Sequence, residues 1–141
     1  MGTRSLTYVY DTHSNERICT MYRQMDGYPT GHGQDLYAWA QDIRIVNGLS
    51  ADQPTRVPTR IANGMGCFAA QMVAHFKDDT GGIYLYPPSV TDAGQDYEYH
   101  VSCTNNGQLR LKVTSYTTVL YNGFLRDFDA EAVEAVTHGW S

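Results

Sequence analysis

This 141-residue chain has no apolar run long enough to cross a bilayer and no run of basic residues. A membrane-spanning helix needs about 20 mostly apolar residues, so no membrane span is expected. A net charge of −5 without a basic cluster argues against a long nucleic acid as partner, because that binding relies on grouped Lys and Arg. A small anion held by a few local arginines is not excluded. No secretory leader is visible, so a cytoplasmic location is expected.

Cysteine is also scarce. Cys19, Cys67 and Cys103 are far apart, and no Cys-x-x-Cys pair occurs. This spacing predicts neither a zinc site nor a disulfide framework, and the apolar surroundings of each cysteine predict buried, reduced thiols. The five histidines are scattered and no cofactor motif is present, so neither a metal nor a cofactor is expected.

Alternating apolar residues predict a single α+β domain over residues 1–141. Two hairpins, at 4–23 and 96–116, and a short strand near 83–86 would form an antiparallel sheet. Two or three helices would pack on this sheet. Helical spacing predicts a helix at 34–46.

Two further helices are predicted. One runs over 61–76, although Gly64 and Gly66 in its first half are unfavourable in a helix interior. Either that helix begins near Cys67, or the glycines allow a close backbone approach. The other is a short helix near the C-terminus, with Asp129 as its N-cap.

The register of the second hairpin follows from its apolar residues. A three-residue loop ending at Gly107 would pair Cys103 with Leu109 and Val101 with Leu111. The opposite face is then polar and is expected to be solvated. It carries Glu98, His100, Ser102, Arg110, Lys112 and Thr114.

The segment richest in reactive side chains is a glycine-rich loop, residues 22–33, between the second predicted strand and the first predicted helix. Its sequence is Tyr-Arg-Gln-Met-Asp-Gly-Tyr-Pro-Thr-Gly-His-Gly. Glycines allow a ligand to approach backbone amides, and the free amides at a helix start favour an anion. The candidate ligand-binding residues of the loop are Arg23, Gln24, Asp26, Tyr28, His32 and Gly33.

Each of these groups has a candidate role. Arg23 would hold a phosphate, Tyr28 would stack on a base and Asp26 would bind a ribose hydroxyl or an amine. His32 would donate to an anion or act as acid or base. The same residues also suit a structural interpretation, in which Arg23 pairs with Asp26, His32 caps the helix and Asp35 opposes an anion. Sequence alone leaves both open.

Two further groups are candidates for the same pocket. Arg56, Arg60 and Asn63 follow the expected connecting loop, 49–60, and precede a second helix start, which would favour an anion. An ordinary solvated loop is the simpler explanation of these residues. The second group would wall a pocket, although strand tyrosines more often pack. Its members are Tyr84, Tyr86 and Tyr121.

The opening of the chain and the loop together resemble small uncharacterised proteins encoded by bacteriophages and some bacteria. The similarity is carried by the opening Met-Gly-Thr-Arg-Ser-Leu-Thr and by Met-Tyr-Arg-Gln-x-Asp-Gly-Tyr-Pro-x-Gly-His-Gly. At the level of role, a phage setting implies similarity to inhibitors of host defence that sequester nucleotide signals, such as cyclic ADP-ribose variants or cyclic dinucleotides. It also implies the cytoplasm of a host bacterium.

The leading hypothesis is therefore a binding protein for a small phosphate-bearing nucleotide, with a homo-oligomer as one expected form. The first alternative is a metal-independent phosphodiesterase, in which His32 with Asp26 or His100 would supply the acid and the base. The second alternative is a protein–protein inhibitor or a virion component. In that case the loop would be a rigid structural turn.

Overall fold

The computed structural model describes residues 2–48 and 60–137, and these form the expected α+β fold. One sheet of six strands runs through the molecule. Its strands in chain order are β1 (Ser5–Tyr10), β2 (Arg17–Arg23), β5 (Ile83–Tyr86), β6 (Tyr97–Cys103), β7 (Leu109–Ser115) and β8 (Thr118–Phe124). Two short strands form a second, parallel pair, and they are β3 (Arg44–Val46) and β4 (Ile61–Asn63).

The three helices of the described residues are α1 (Gln34–Ala40), α2 (Gly64–Phe76) and α3 (Ala130–Thr137). A single π-helical turn, Pro29–Gly33, leads into α1. Asp129 precedes α3 and its Oδ1 accepts a hydrogen bond from the Ala132 amide at 3.3 Å, as expected of an N-cap. None of the described helices is both long enough and apolar enough to cross a membrane.

The strands of the large sheet lie in the order β5–β2–β1–β6–β7–β8. Both predicted hairpins are present, and the second has the predicted pairing of Cys103 with Leu109 and Val101 with Leu111. The sheet is not purely antiparallel, because β1 and β6 pair in parallel. The two hairpins are thereby joined at the centre of the sheet through their first strands.

The main core lies between one face of the sheet and the helices. Strand residues such as Val9, Met21 and Tyr99 pack there against Phe68 and Met72 of α2, and all five are fully buried. The opposite face carries a smaller apolar cluster of Leu6, Tyr8 and Tyr22. The polar part of that face is only partly solvated, since Thr114 is buried and His100 is half-buried.

Two helix predictions were too long. The first helix ends at Ala40 and the second begins at Gly64, because Arg44–Val46 and Ile61–Asn63 pair with each other as strands. Gly64 has φ +85°, which suits glycine at the turn from β4 into α2. Gly66 serves no close approach, since a Cβ there would meet open space. The three cysteines are free, as expected, but half-buried rather than buried.

Candidate functional site

The glycine-rich loop is closed by its own backbone. The Gly27 amide donates to Thr3 O at 2.9 Å, and the His32 amide donates to Asp26 O at 2.7 Å. The carbonyl of Gly27 accepts the buried Tyr99 hydroxyl at 2.8 Å. A Cβ at Gly31 would overlap the Asp26 carbonyl oxygen. These backbone groups are therefore occupied by contacts within the protein and are not available to a ligand.

The side chain of His32 is buried and anchors this loop to the sheet. It is 0% exposed, with Nε2 2.7 Å from the Thr7 hydroxyl and Nδ1 3.3 Å from Nη1 of Arg23. A guanidinium only donates, so Nδ1 accepts and Nε2 carries the proton that is donated to Thr7. Burial, and secondarily the charge of Arg23, lowers the pKa of His32 to about 3. The imidazole is therefore neutral at physiological pH and closed to proton exchange with a ligand.

Arg23 links the buried His32 side chain to the protein surface. Its Nη1 donates to Asp35 Oδ2 at 2.9 Å, and its Nε donates to the Met25 carbonyl at 2.9 Å. The arginine side chain is 19% exposed and the aspartate side chain 52%. Arg23 thus pairs with Asp35 of α1 and not with Asp26, and one side of the ion pair faces a cleft.

This cleft has a volume of about 550 Å³ and lies between the β2–β5 end of the sheet, α1 and the C-terminal end of α2. Trp39 and His75 stack in it, with ring centroids 5.1 Å apart and planes at 15°. Phe76 packs beside them and contacts the buried His32 ring at a centroid distance of 5.1 Å. The lining residues are Arg23, Met25, Asp35, Ala38, Trp39, His75, Phe76, Asp78, Gly82 and Ile83.

The charges that line the cleft favour a ligand that carries both hydrogen-bond donors and a small anionic group. The lining contains one guanidinium, Arg23, and two carboxylates, Asp35 and Asp78. Helix α2 ends at Phe76, and the C-terminal end of a helix carries partial negative charge. A flat ring, a hydrogen-bond-donating edge and at most a small anionic group match this lining.

The other predicted loop residues do not line the cleft. The Tyr28 hydroxyl donates to Asp26 Oδ1 at 3.2 Å, and the nearby carboxylate raises the pKa of Tyr28. The Gln24 amide is bonded to Gly82 O at 2.9 Å. Gly33 is packed against the rings of Phe128 and Tyr99. Of the six loop candidates, Arg23 alone reaches the cleft.

The second predicted group lies elsewhere. Arg60 bonds both carboxylate oxygens of Asp42 and the Trp39 carbonyl, and Asn63 Oδ1 accepts the Gly48 amide at 2.7 Å. These contacts brace the small β3–β4 sheet. Arg56, the loop 49–59 and His138 lie outside the described residues. The tyrosines are spread over both sheet edges, since Tyr84 and Tyr86 are on β5 and Tyr121 is on β8.

The acid–base pairs considered from the sequence are not formed, because both ring nitrogens of His32 have other partners. His32 lies on the helix-covered face of the sheet, bonded to Thr7, whereas His100 lies on the opposite face and contacts Tyr10 and Glu98. The Asp26 carboxylate accepts from Tyr28. Within residues 2–48 and 60–137, no three His, Cys, Asp or Glu side chains gather in a geometry that would hold a metal ion.

The sequence does not indicate the aromatic part of the cleft. Trp39 lies within the predicted helix 34–46 and His75 is one of the five scattered histidines, so neither they nor Asp78 stand out as candidate site residues. No local spacing brings residue 39 next to residue 75; the packing of α1 against α2 does. The useful signal in the sequence was Arg23 together with Asp35.

Comparison of the chain with protein-family models, with curated proteins and with solved structures gives no match.

Proposed function

We propose that this protein binds a small nucleotide in the cleft and sequesters it. The observation that carries the proposal is the meeting of a stacked Trp39–His75 ring pair with the Arg23–Asp35 ion pair in one cavity of about 550 Å³. Ligand sites commonly have volumes of about 300–1,000 Å³, with aromatic walls and a few placed polar groups. A nucleotide supplies both a ring and a charged group.

The lining suggests how such a ligand would lie. The base packs against the Trp39 and His75 rings, with its amino edge toward Asp78. The phosphate takes the place of Asp35 on Arg23, since an arginine fork binds phosphate and carboxylate in the same way. The resemblance to phage proteins adds a biological setting, in which the nucleotide is a signal of host defence.

Cleavage through the loop histidine is disfavoured because that side chain is unavailable, and chromatography of the ligand tests cleavage through His75, which lines the cleft. His32 is fully buried and neutral, and both ring nitrogens have partners inside the protein. A general acid or base must reach the proton that it transfers, directly or through one water. Titration calorimetry against AMP, cyclic AMP, a cyclic dinucleotide and ADP-ribose, followed by chromatography of the ligand, tests this proposal. We expect saturable binding and an unchanged ligand; no heat from folded protein, or new products, would contradict it.

The number of phosphates on the ligand gives a further prediction. Because two carboxylates and one guanidinium line the cleft, AMP should bind more tightly than ATP, whose extra negative charges have no partner among the described lining residues. Competition calorimetry at constant ionic strength measures the difference. Tighter binding of ATP would show that the phosphates lie elsewhere.

Asp35 and Asp42 provide a matched pair of variants. Both are half-exposed and each pairs with one arginine, Asp35 with Arg23 and Asp42 with Arg60. We expect Asp35→Asn to strengthen AMP binding about five-fold, because it frees Arg23 and removes a repulsive charge. Asp42→Asn makes the same change in net charge and should leave AMP affinity unaltered. An equal effect of the two variants in calorimetry would mean that only overall charge matters.

One observation favours a role in protein–protein binding. Strand β5 is an edge strand of the sheet, and its Tyr84 and Leu85 side chains are 44% and 60% exposed. Exposed apolar edge strands favour pairing with another chain. If β5 forms a homo-oligomer interface, light scattering after gel filtration should show an oligomer that Leu85→Lys dissociates. A monomer at every concentration tested would exclude β5 as a homo-oligomer interface.

A further inference from the structure

A second cavity lies on the sheet face opposite the helices. Arg110 and Lys112 are two residues apart on β7, so both side chains leave the same face about 7 Å apart. Lys112 is flanked by His100 on β6 and Asn122 on β8, which are its register partners. The cavity has a volume of about 290 Å³. Its lining residues are Tyr10, Asn15, His100, Ser102, Arg110, Leu111, Lys112 and Asn122.

The lining is cationic in a chain of net charge −5. It contains Arg110 and Lys112 and no carboxylate. Lys112 is exposed and takes part in none of the ion pairs of the described residues. Arg110 contacts Asn122 Oδ1 at 3.4 Å, with its guanidinium 5.1 Å from the Phe124 ring centroid. Among the residues that the structure describes, no carboxylate therefore pairs with either positive charge.

The inner wall of the cavity is held rigid by a hydrogen-bonded row. The Tyr10 hydroxyl lies 2.7 Å from His100 Nδ1, and His100 Nε2 lies 3.3 Å from Glu98 Oε1. The other oxygen of Glu98 accepts from Gln95 at 2.8 Å. The Glu98 carboxylate is thus hydrogen-bonded to His100 and Gln95 and does not line the cavity. Burial, together with the charges of Lys112 and Arg17, lowers the pKa of His100 despite Glu98, so the imidazole is neutral at physiological pH.

We propose that this cavity is a binding site for the phosphate group of a small phosphorylated molecule. Two cations on neighbouring positions of one strand match a dianion, and charge-assisted hydrogen bonds from arginine and lysine are the strongest that proteins make to phosphate. Ser102 and the amide groups of Asn15 and Asn122 add neutral donors around the same space. The proposal is independent of the nucleotide cleft, which lies across the sheet.

Amide chemical shifts test this site with small probes. Uniformly labelled protein is titrated with inorganic phosphate and with glycerol 3-phosphate, and with acetate at the same ionic strength. We expect saturable shifts at Ser102, Lys112 and Asn122 with the two phosphates, and only weak, non-saturating shifts with acetate. Because glycerol 3-phosphate has no ring, it should leave the Trp39 indole signal of the other cleft unchanged.

A matched pair of variants separates a site from general charge. Lys112→Gln should weaken phosphate binding about ten-fold, whereas Arg44→Gln, the same charge change at an exposed position of β3, should alter it less than about two-fold. Lys112→Arg should restore most of the affinity. Absence of saturable shifts, equal shifts with acetate, or an equal loss in Arg44→Gln would overturn the proposal. So would phosphate-induced shifts centred on Trp39.

Discussion

Replacing His32 with alanine should lower the free energy of unfolding by about 3–5 kcal/mol. The variant leaves Thr7 and Arg23 without their buried partner and removes a ring packed between Phe76 and Tyr99. Urea unfolding followed by circular dichroism measures the change. His13→Ala, in the exposed turn between β1 and β2, is the control and should cost less than about 0.5 kcal/mol. Similar losses in the two variants would contradict a buried structural role for His32.

The same residue should make the protein sensitive to acid. His32 has a pKa of about 3 in the folded chain and about 6.5 when unfolded, so below pH 6.5 the unfolded state binds a proton that the folded state does not. Its contribution to stability is complete above pH 6.5 and is lost as the pH falls toward 3, at about 1.4 kcal/mol per pH unit.

A glutamine side chain retains hydrogen-bonding groups but does not titrate. The variant His32→Gln therefore isolates the effect of histidine protonation on stability. Unfolding free energies of wild type and His32→Gln, measured between pH 7 and pH 4, should converge as the pH falls. The wild-type curve should be steeper by about one proton. Parallel curves would show that the folded imidazole titrates normally and is not sealed from water.

Gly31→Ala should also be damaging, with a loss of about 2–4 kcal/mol. Its methyl group would overlap the backbone oxygen of Asp26, which is the acceptor of the His32 amide. Backbone cannot move aside as a flexible side chain can, so the loop must distort. Thermal unfolding monitored by calorimetry provides the measurement.

Gly66→Ala is the matched control for this prediction. Gly66 is within α2 and a Cβ there meets open space, so alanine should raise stability by up to about 1 kcal/mol through helix propensity. Opposite signs for the two glycine substitutions are expected. A neutral Gly31→Ala would show that the loop is not held by its backbone as described.

The hairpins could be predicted because strand patterns have period two, and a slip of one residue moves every side chain to the wrong face. Cys103 therefore had to pair with Leu109 once Tyr99 and Val101 were placed inside. The β3–β4 pair could not be predicted. Ile43 and Val46 satisfy a helical spacing, whereas the observed strand covers only Arg44–Val46 and its partner at Ile61–Asn63 is distant in the sequence.

Only one residue of the candidate site, Arg23, could be predicted from the sequence. Arg23 was singled out by its place in the glycine-rich loop, and it does reach the cleft. A sequence does not show whether a polar side chain already has a partner inside the fold. Thr7 alternates inward on β1 and meets His32 there, which turns a candidate acid–base group into a structural one. Trp39 and His75 meet only through the packing of α1 and α2.

Nucleotide occupancy of the cleft is tested most directly by mapping amide and indole chemical shifts of the labelled protein during titration with AMP and cyclic AMP. The predicted result is a saturable change at the Trp39 indole and at the amides of Ala38, Phe76 and Gly82, which line the cleft. The amides of Gly27 and His32 should move little, because the loop backbone is occupied internally. No saturable change with either nucleotide, or changes confined to residues 26–32, would contradict the proposed function.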